Sequence, residues 1–202
     1  MAPKYGNLPE CEIGKTRPLM AQDGLYIETN QPWGRLVYRL YEAPRLLPYG
    51  EIEECDDFST LLTQALCMLH DEIVPAAAGY AEQNKEWAGW IVWDEQNGLE
   101  YMPVTFESTY VKAEVRHPDL PEGKQLVIDV HSHGSISPFF SMTDDEDDKG
   151  GVKISLVLGS YRAGKNEQTF KMDYRYCVEG FFIGSFEGDG HEKFDSGDTK
   201  SD

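Results

Sequence analysis

No apolar stretch in these 202 residues approaches the roughly 18 that a membrane-crossing helix requires, so no such span is expected. The N-terminus, Met1-Ala2-Pro3-Lys4-Tyr5-Gly6, lacks the charged and apolar regions of a signal peptide, which makes the cytoplasm the expected compartment. Cysteine is sparse. Cys11, Cys55, Cys67 and Cys177 show no Cys-x-x-Cys spacing, so they read as small buried hydrophobes rather than disulfides or metal ligands. Basic residues are also few, 18 against 36 acidic, and the net charge of −18 repels phosphate backbones. Direct binding to nucleic acid through the bulk surface is therefore not expected, and a partner should be protein. No internal repeat is evident.

What is present suffices for one good core with a small appended unit: 40% of the residues are hydrophobic and 12% aromatic. Residues 1–56 hold six of the 11 prolines around short runs such as Leu36-Val37-Tyr38-Arg39-Leu40-Tyr41, a pattern that favours a β-rich extension. From Asp57 the period changes. Phe58, Leu62, Leu66, Leu69 and Ile73 predict a core-facing helix, capped by Asp57 or Ser59 and broken at Pro75. Glu86 to Trp93 reads as a strand, and Asn97-Gly98 turns it into a second one over 99–104. Val111, Ala113 and Val115 alternate like a strand, His117 falls in a loop, and Gln125 to Val130 is an apolar, β-branched strand. Lys153 to Leu158 and Thr169 to Val178 predict two strands around Gly164-Lys165-Asn166, with a short one at Phe181-Phe182-Ile183. Residues 187–202 have little to bury and read as a disordered acidic tail that leaves His191 exposed.

The chemistry is concentrated between residues 131 and 144. His131 and His133 fall at i and i+2 on one face of a strand end, where one metal ion can meet both rings. Beyond Pro138, Ser141 opens an acidic segment as a good helix N-cap, and Asp144, three residues later, lies nearly above it. Two imidazoles and one carboxylate make a three-ligand Zn²⁺ set whose fourth tetrahedral position is left for water, the pattern of catalytic rather than structural zinc. A His-x-His pair alone is ordinarily just two strand histidines; the serine and aspartate are what point to a metal. Catalysis also needs a base that is not a ligand. Glu86 is the candidate, ahead of Glu82 and Glu95, because it opens Glu86-Trp87-Ala88-Gly89 before an apolar strand, with the glycine permitting close backbone approach. The run Asp144-Asp145-Glu146-Asp147-Asp148 lacks the alternating ligands of an EF-hand. Apart from Asp144 it reads as a solvated helix start favoured by the helix dipole.

These residues resemble the JAMM (MPN-type) metalloprotease family, whose signature is an early strand-edge Glu followed far downstream by His-x-His, seven residues, Ser, two residues, Asp. All five positions are filled, and the resemblance extends over residues 57–186. It implies an α+β, cytidine-deaminase-like fold: a curved, mostly antiparallel sheet flanked by helices. It also implies that His131, His133 and Asp144 hold Zn²⁺, that Glu86 relays a proton from the attacking water to the leaving amine, and that Ser141 hydrogen-bonds the oxyanion. Gly134 stands where most relatives carry proline, which should loosen the loop. The phrase from Val130 through Asp148, the strand from Lys153 to Ser160 and the N-terminal unit look most like the PRTRC-system A branch of bacterial mobile elements. That branch implies a ubiquitin-like protein as substrate and a ThiF-type, E1-like activating enzyme as neighbour. The expected activity is cleavage of an amide bond at the C-terminal tail of the ubiquitin-like protein or its conjugate. The alternatives are a zinc-containing binding scaffold without turnover, and a DNA-maintenance factor that would have to bring a −18 chain to a polyanion.

Overall fold

The computed structural model describes residues 1–2, 7–104, 106–108, 113–115, 120–164 and 168–184. Val111, the His117 loop, the Lys165-Asn166 turn and the 187–202 segment with His191 lie outside the described residues.

The proline-rich beginning folds as an antiparallel sheet of β1 (Lys15–Ala21), β2 (Gly24–Gln31), β3 (Gly34–Glu42) and β4 (Cys55–Asp56), in that order. Pro18 is tolerated because β1 is an edge strand. Glu28, fully buried in β2, accepts hydrogen bonds from Arg17 Nε at 2.6 Å and from Arg35 Nε at 2.9 Å. Removing either arginine would leave an oxygen of this buried carboxylate without its partner, a strongly destabilising change.

Helix α1 (Asp57–Met68) is capped by Asp56, whose carboxylate accepts from Ser59 N–H at 2.9 Å. Neither Asp57 nor Ser59 is the cap; Asp57 instead accepts from the backbone N–H of Arg35 at 2.9 Å, tying the helix start to β3. Pro75 does not break the helix either. A π-helical turn, Leu69–Ile73, carries the chain into α2 (Val74–Ala81), with Val74 N–H bonded to Leu69 O. The wider turn accommodates the proline ring and its missing donor, which a regular α-turn would not. The buried stripe is Phe58, Leu61, Ala65, Leu69, Ile73 and Ala77, while Leu62 and Leu66 fall at its margin. Of the cysteines, Cys11 and Cys177 are buried and Cys67 is exposed, and all four are free thiols.

The central sheet comprises β5 (Trp87–Asp94), β6 (Gly98–Pro103), β9 (Gln125–Ser132), β10 (Val152–Ala163), β11 (Gln168–Val178) and β12 (Phe181–Ile183). A separate ribbon pairs β7 (Phe106–Ser108) with β8 (Ala113–Val115). The strand order is β12-β11-β10-β9-β5-β6, antiparallel except for the parallel pair β9–β10. Parallel neighbours need a crossover, supplied here by a loop and α3 (Met142–Asp148), so the fold is α+β with a mixed sheet. Gly89 is not a point of backbone approach: the Trp87 ring lies over it, where a Cβ would stand.

The core contains Ile91, Ile128, Ile154, Leu156 and Leu158, all fully buried, each contributing roughly 1.5–3 kcal/mol. Ile27, Trp33 and Leu36 of the N-terminal sheet belong to the same cluster. Trp33 packs on Phe58 with ring centroids 4.7 Å apart, and Phe58 meets Tyr176 of β11 edge-on at 5.4 Å. Among the described residues no helix is long and apolar enough to cross a membrane.

Candidate metal centre

The site assembles at the C-terminal end of β9, beside the start of β5. The antiparallel register pairs Trp87 with Ser132 and Ala88 with His131, so the next residue along, Glu86, comes beside His133. His133 N–H donates to Leu158 O at 2.8 Å, continuing the β9–β10 pairing one step past the strand. The chain then turns at Gly134, whose φ of +57° is closed to proline. Glycine there specifies a different turn, not a looser one. Gly134 O accepts from Tyr161 N–H at 2.9 Å and Ile136 O from Ser160 N–H at 2.6 Å. A bulge between Gly159 and Arg162, with Ser160 at φ +54°, leaves these donors out of the β10–β11 register and available to the loop.

Gly159 lies directly under that loop, where a Cβ would overlap the backbone of Ile136 and Pro138. Gly159→Ala is therefore expected to cost about 1–3 kcal/mol by forcing the loop off β10, read as a lower urea midpoint with weakened metal binding. An unchanged midpoint and unchanged affinity would refute this account of the loop.

Ser141 and Asp144 form a capping box at the start of α3. Ser141 Oγ accepts from Asp144 N–H at 3.3 Å, and Asp144 Oδ2 accepts from Ser141 N–H at 2.6 Å. The box orients the carboxylate. Its other oxygen, Oδ1, lies 3.6 Å from His131 Nε2, which is 3.2 Å from His133 Nε2. All three ligand atoms fall within 4.8 Å of one another. Atoms bound to one tetrahedral Zn²⁺ at its usual bond lengths stand roughly 3.3 Å apart, so this donor set fits the ion. Burial lowers the His133 pKa, as does neighbouring His131, against the opposing pull of Glu86 and Asp144. The neutral ring keeps a lone pair for a metal. Ser141 Oγ acts only as an acceptor in the box, which leaves its proton for another acceptor.

A small cleft lined by Glu86, His133, Gly134 and Ile136 opens beside the cluster, and the Phe139 ring packs against His133 with centroids 4.6 Å apart. The other two candidate glutamates lie away from the ligand atoms. Glu82 accepts from Tyr161 Oη at 3.0 Å, and Glu95 sits in the turn at the far end of β5.

A family model described as prokaryotic homologs of the JAB domain matches residues 63–173. The chain belongs to the prokaryotic JAB-domain family. A model described as a domain of unknown function, DUF2016, matches residues 1–59 of the same chain. No curated protein matches it.

In this JAB domain the acidic run after Asp144 is not merely a solvated helix start. Asp148 is only 4% exposed and binds Lys153 and Arg175, and Asp145 binds Arg175. Sequence reading missed all four. The available signal was a basic residue set among apolar and aromatic ones, Lys153 at the head of Ile154 to Leu158 and Arg175 between Tyr174 and Tyr176. Burial alone would raise the Asp148 pKa, but Lys153 and Arg175 outweigh it and hold the carboxyl below the usual aspartate value. That contribution is complete above the unfolded value of about 3.9 and is lost as pH falls through the lower folded one. Urea unfolding from pH 7 to 2 should show a stability loss beginning below about pH 4, smaller in Asp148→Asn, from a lower starting point. Parallel curves for parent and variant would remove the pair from the account of acid unfolding.

Proposed function

We propose that this JAB-domain protein is a zinc-dependent isopeptidase or peptidase that cleaves an amide bond at the C-terminal tail of a ubiquitin-like protein or its conjugate. The observation that carries this reading is the convergence of His131, His133 and Asp144 within 4.8 Å, with Ser141 in the same capping box and Glu86 beside His133. Bound there, zinc would supply a Lewis acid that acidifies water and polarises the scissile carbonyl. Glu86, outside the ligand set, accepts the proton of the attacking water and passes it to the departing nitrogen. Ser141 donates its free O–H to the carbonyl oxygen as negative charge develops. With both imidazoles engaged as ligands, no histidine remains to activate Ser141 as a nucleophile.

An extended tail suits the surroundings. Strand β6 ends the sheet, and its last residues, Met102 and Pro103, pair with Trp90 and Gly89 near the Glu86 end of β5. A tail added along that edge would be held by backbone hydrogen bonds beside the site. The N-terminal unit, the phrase from Val130 through Asp148 and the strand from Lys153 to Ser160 support a mobile-element system resembling the PRTRC branch, with a ThiF-type activating enzyme as a further partner.

The test is incubation of the full chain with a ubiquitin-like protein extended at its C-terminus, with and without a chelator, and mass spectrometry of the products. Cleavage that stops with chelator and returns with Zn²⁺ is expected; binding without cleavage would make the protein a scaffold. Ser141→Ala should retain zinc and lower kcat by roughly 10²-fold with little change in KM. A pure cap would instead cost about 1 kcal/mol of stability and spare turnover.

A further inference from the structure

The two halves of the ligand set come from different elements: the histidines from the end of β9, the aspartate from α3. Nothing in the capping box fixes α3 relative to β9, because both its hydrogen bonds are internal to residues 141–144. Two buried cations anchor α3, one to β9 and β10 and the other to β11. Lys153, on β10 and 8% exposed, places Nζ 2.7 Å from Asp129 Oδ2 and 2.7 Å from Asp148 Oδ1. Asp129 precedes His131 by two residues on β9, and Asp148 lies one helical turn beyond Asp144, so one ammonium joins both ligand-bearing elements.

Arg175, on β11 and 3% exposed, holds the other side. Its Nη2 donates to Asp148 Oδ2 at 2.8 Å and its Nη1 to Asp145 Oδ1 at 2.6 Å. One face of the guanidinium lies 4.0 Å from the centroid of the Phe140 ring, and a second ring, Phe182, lies at 3.9 Å. Phe140 immediately precedes Ser141 and Asp145 immediately follows Asp144. The side chain thus grips the capping box at both ends. An ordinary structural ion pair could sit anywhere in the fold; these two contact Asp129 before His131 and Phe140, Asp145 and Asp148 around the capping box.

Resting on the zinc reading above, we infer that Lys153 and Arg175 are positioning residues that set the separation of Asp144 from His131 and His133. Neither touches a ligand atom. Each acts through the carboxylates, and Arg175 also through the aromatic ring, that hold the ligand-bearing segments.

The experiment measures the Zn²⁺ dissociation constant of the full chain by competition with a chromophoric chelator, together with its urea midpoint. Lys153→Met is compared with Arg17→Met, which breaks a buried ion pair of Glu28 in the other sheet. Both variants should lose stability. Only Lys153→Met should also weaken Zn²⁺ binding, by roughly 10- to 100-fold in protein shown to be folded by near-ultraviolet circular dichroism. Arg175→Lys keeps the charge but loses the bidentate grip, and should weaken Zn²⁺ in the same direction; it decides the matter if Lys153→Met does not fold. Parental affinity in a folded Lys153→Met, or in Arg175→Lys where that variant must decide, overturns the positioning role while leaving the metal site intact. Equal weakening in Arg17→Met overturns it as well, because general destabilisation then explains the loss. A parent chain that binds no Zn²⁺ overturns the metal reading itself, and this inference with it.

Discussion

Zinc content is expected to fall from about one ion per chain to none when His131 and His133 are both replaced by alanine. The two Nε2 atoms stand 3.2 Å apart and supply the nitrogen half of the set, and a lone carboxylate at a helix start has no measurable hold on Zn²⁺ in their absence. Asp144→Ala should also release the ion, but it removes the acceptor of Ser141 N–H at the same time. Asp144→Asn separates the two effects, since an amide oxygen can still accept that N–H while carrying no charge for a metal. Metal analysis of the purified proteins, with the urea midpoint of each, provides the check. Full occupancy in the double histidine variant would end the ligand assignment.

Glu86→Gln should leave zinc binding and substrate affinity intact and lower kcat by roughly 10²- to 10⁴-fold. The carboxylate lies beside His133 at the start of β5, outside the cluster of ligand atoms, so its loss removes a proton acceptor and not a ligand. Gln keeps its size and hydrogen-bonding reach. Glu82→Gln and Glu95→Gln serve as controls, because one of those residues is bonded to Tyr161 and the other lies at the opposite end of the strand. A Glu86→Gln variant as fast as the parent, beside a slow Glu82→Gln, would mean that the base had been misassigned.

Much of the site was legible because its elements are local. A β-branched run ending in His-x-His fixes both rings on one face by the two-residue period of a strand, and Ser-x-x-Asp fixes the capping box by the geometry of a helix start. The hairpin at Asn97-Gly98 was legible for the same reason. Three features were not. Whether Asp148 faces water or a cation depends on Lys153 and Arg175, residues whose placement follows from strand pairing rather than from neighbouring sequence. Pro75 ends helices by a local rule, yet here the preceding turn widens and the packing of Ile73 and Ala77 carries the helix through. Gly134 reads as slack from sequence alone because the positive φ it serves, and the two β10 donors that fasten the turn, appear only once the bulge at Ser160 is in place.

The packing of Trp33 on Phe58, and of Phe58 edge-on against Tyr176, bears on how such a chain can be inherited. Two family models meet between residues 59 and 63, as though two modules had been joined end to end. The interior ignores that seam. An exchange of modules there would strip Phe58 of its neighbour Tyr176 and uncover Leu36 and Ile27, leaving each fragment with an apolar face that attracts other chains. The N-terminal sheet and the JAB domain can therefore diversify only in step, each selected against the surface of the other.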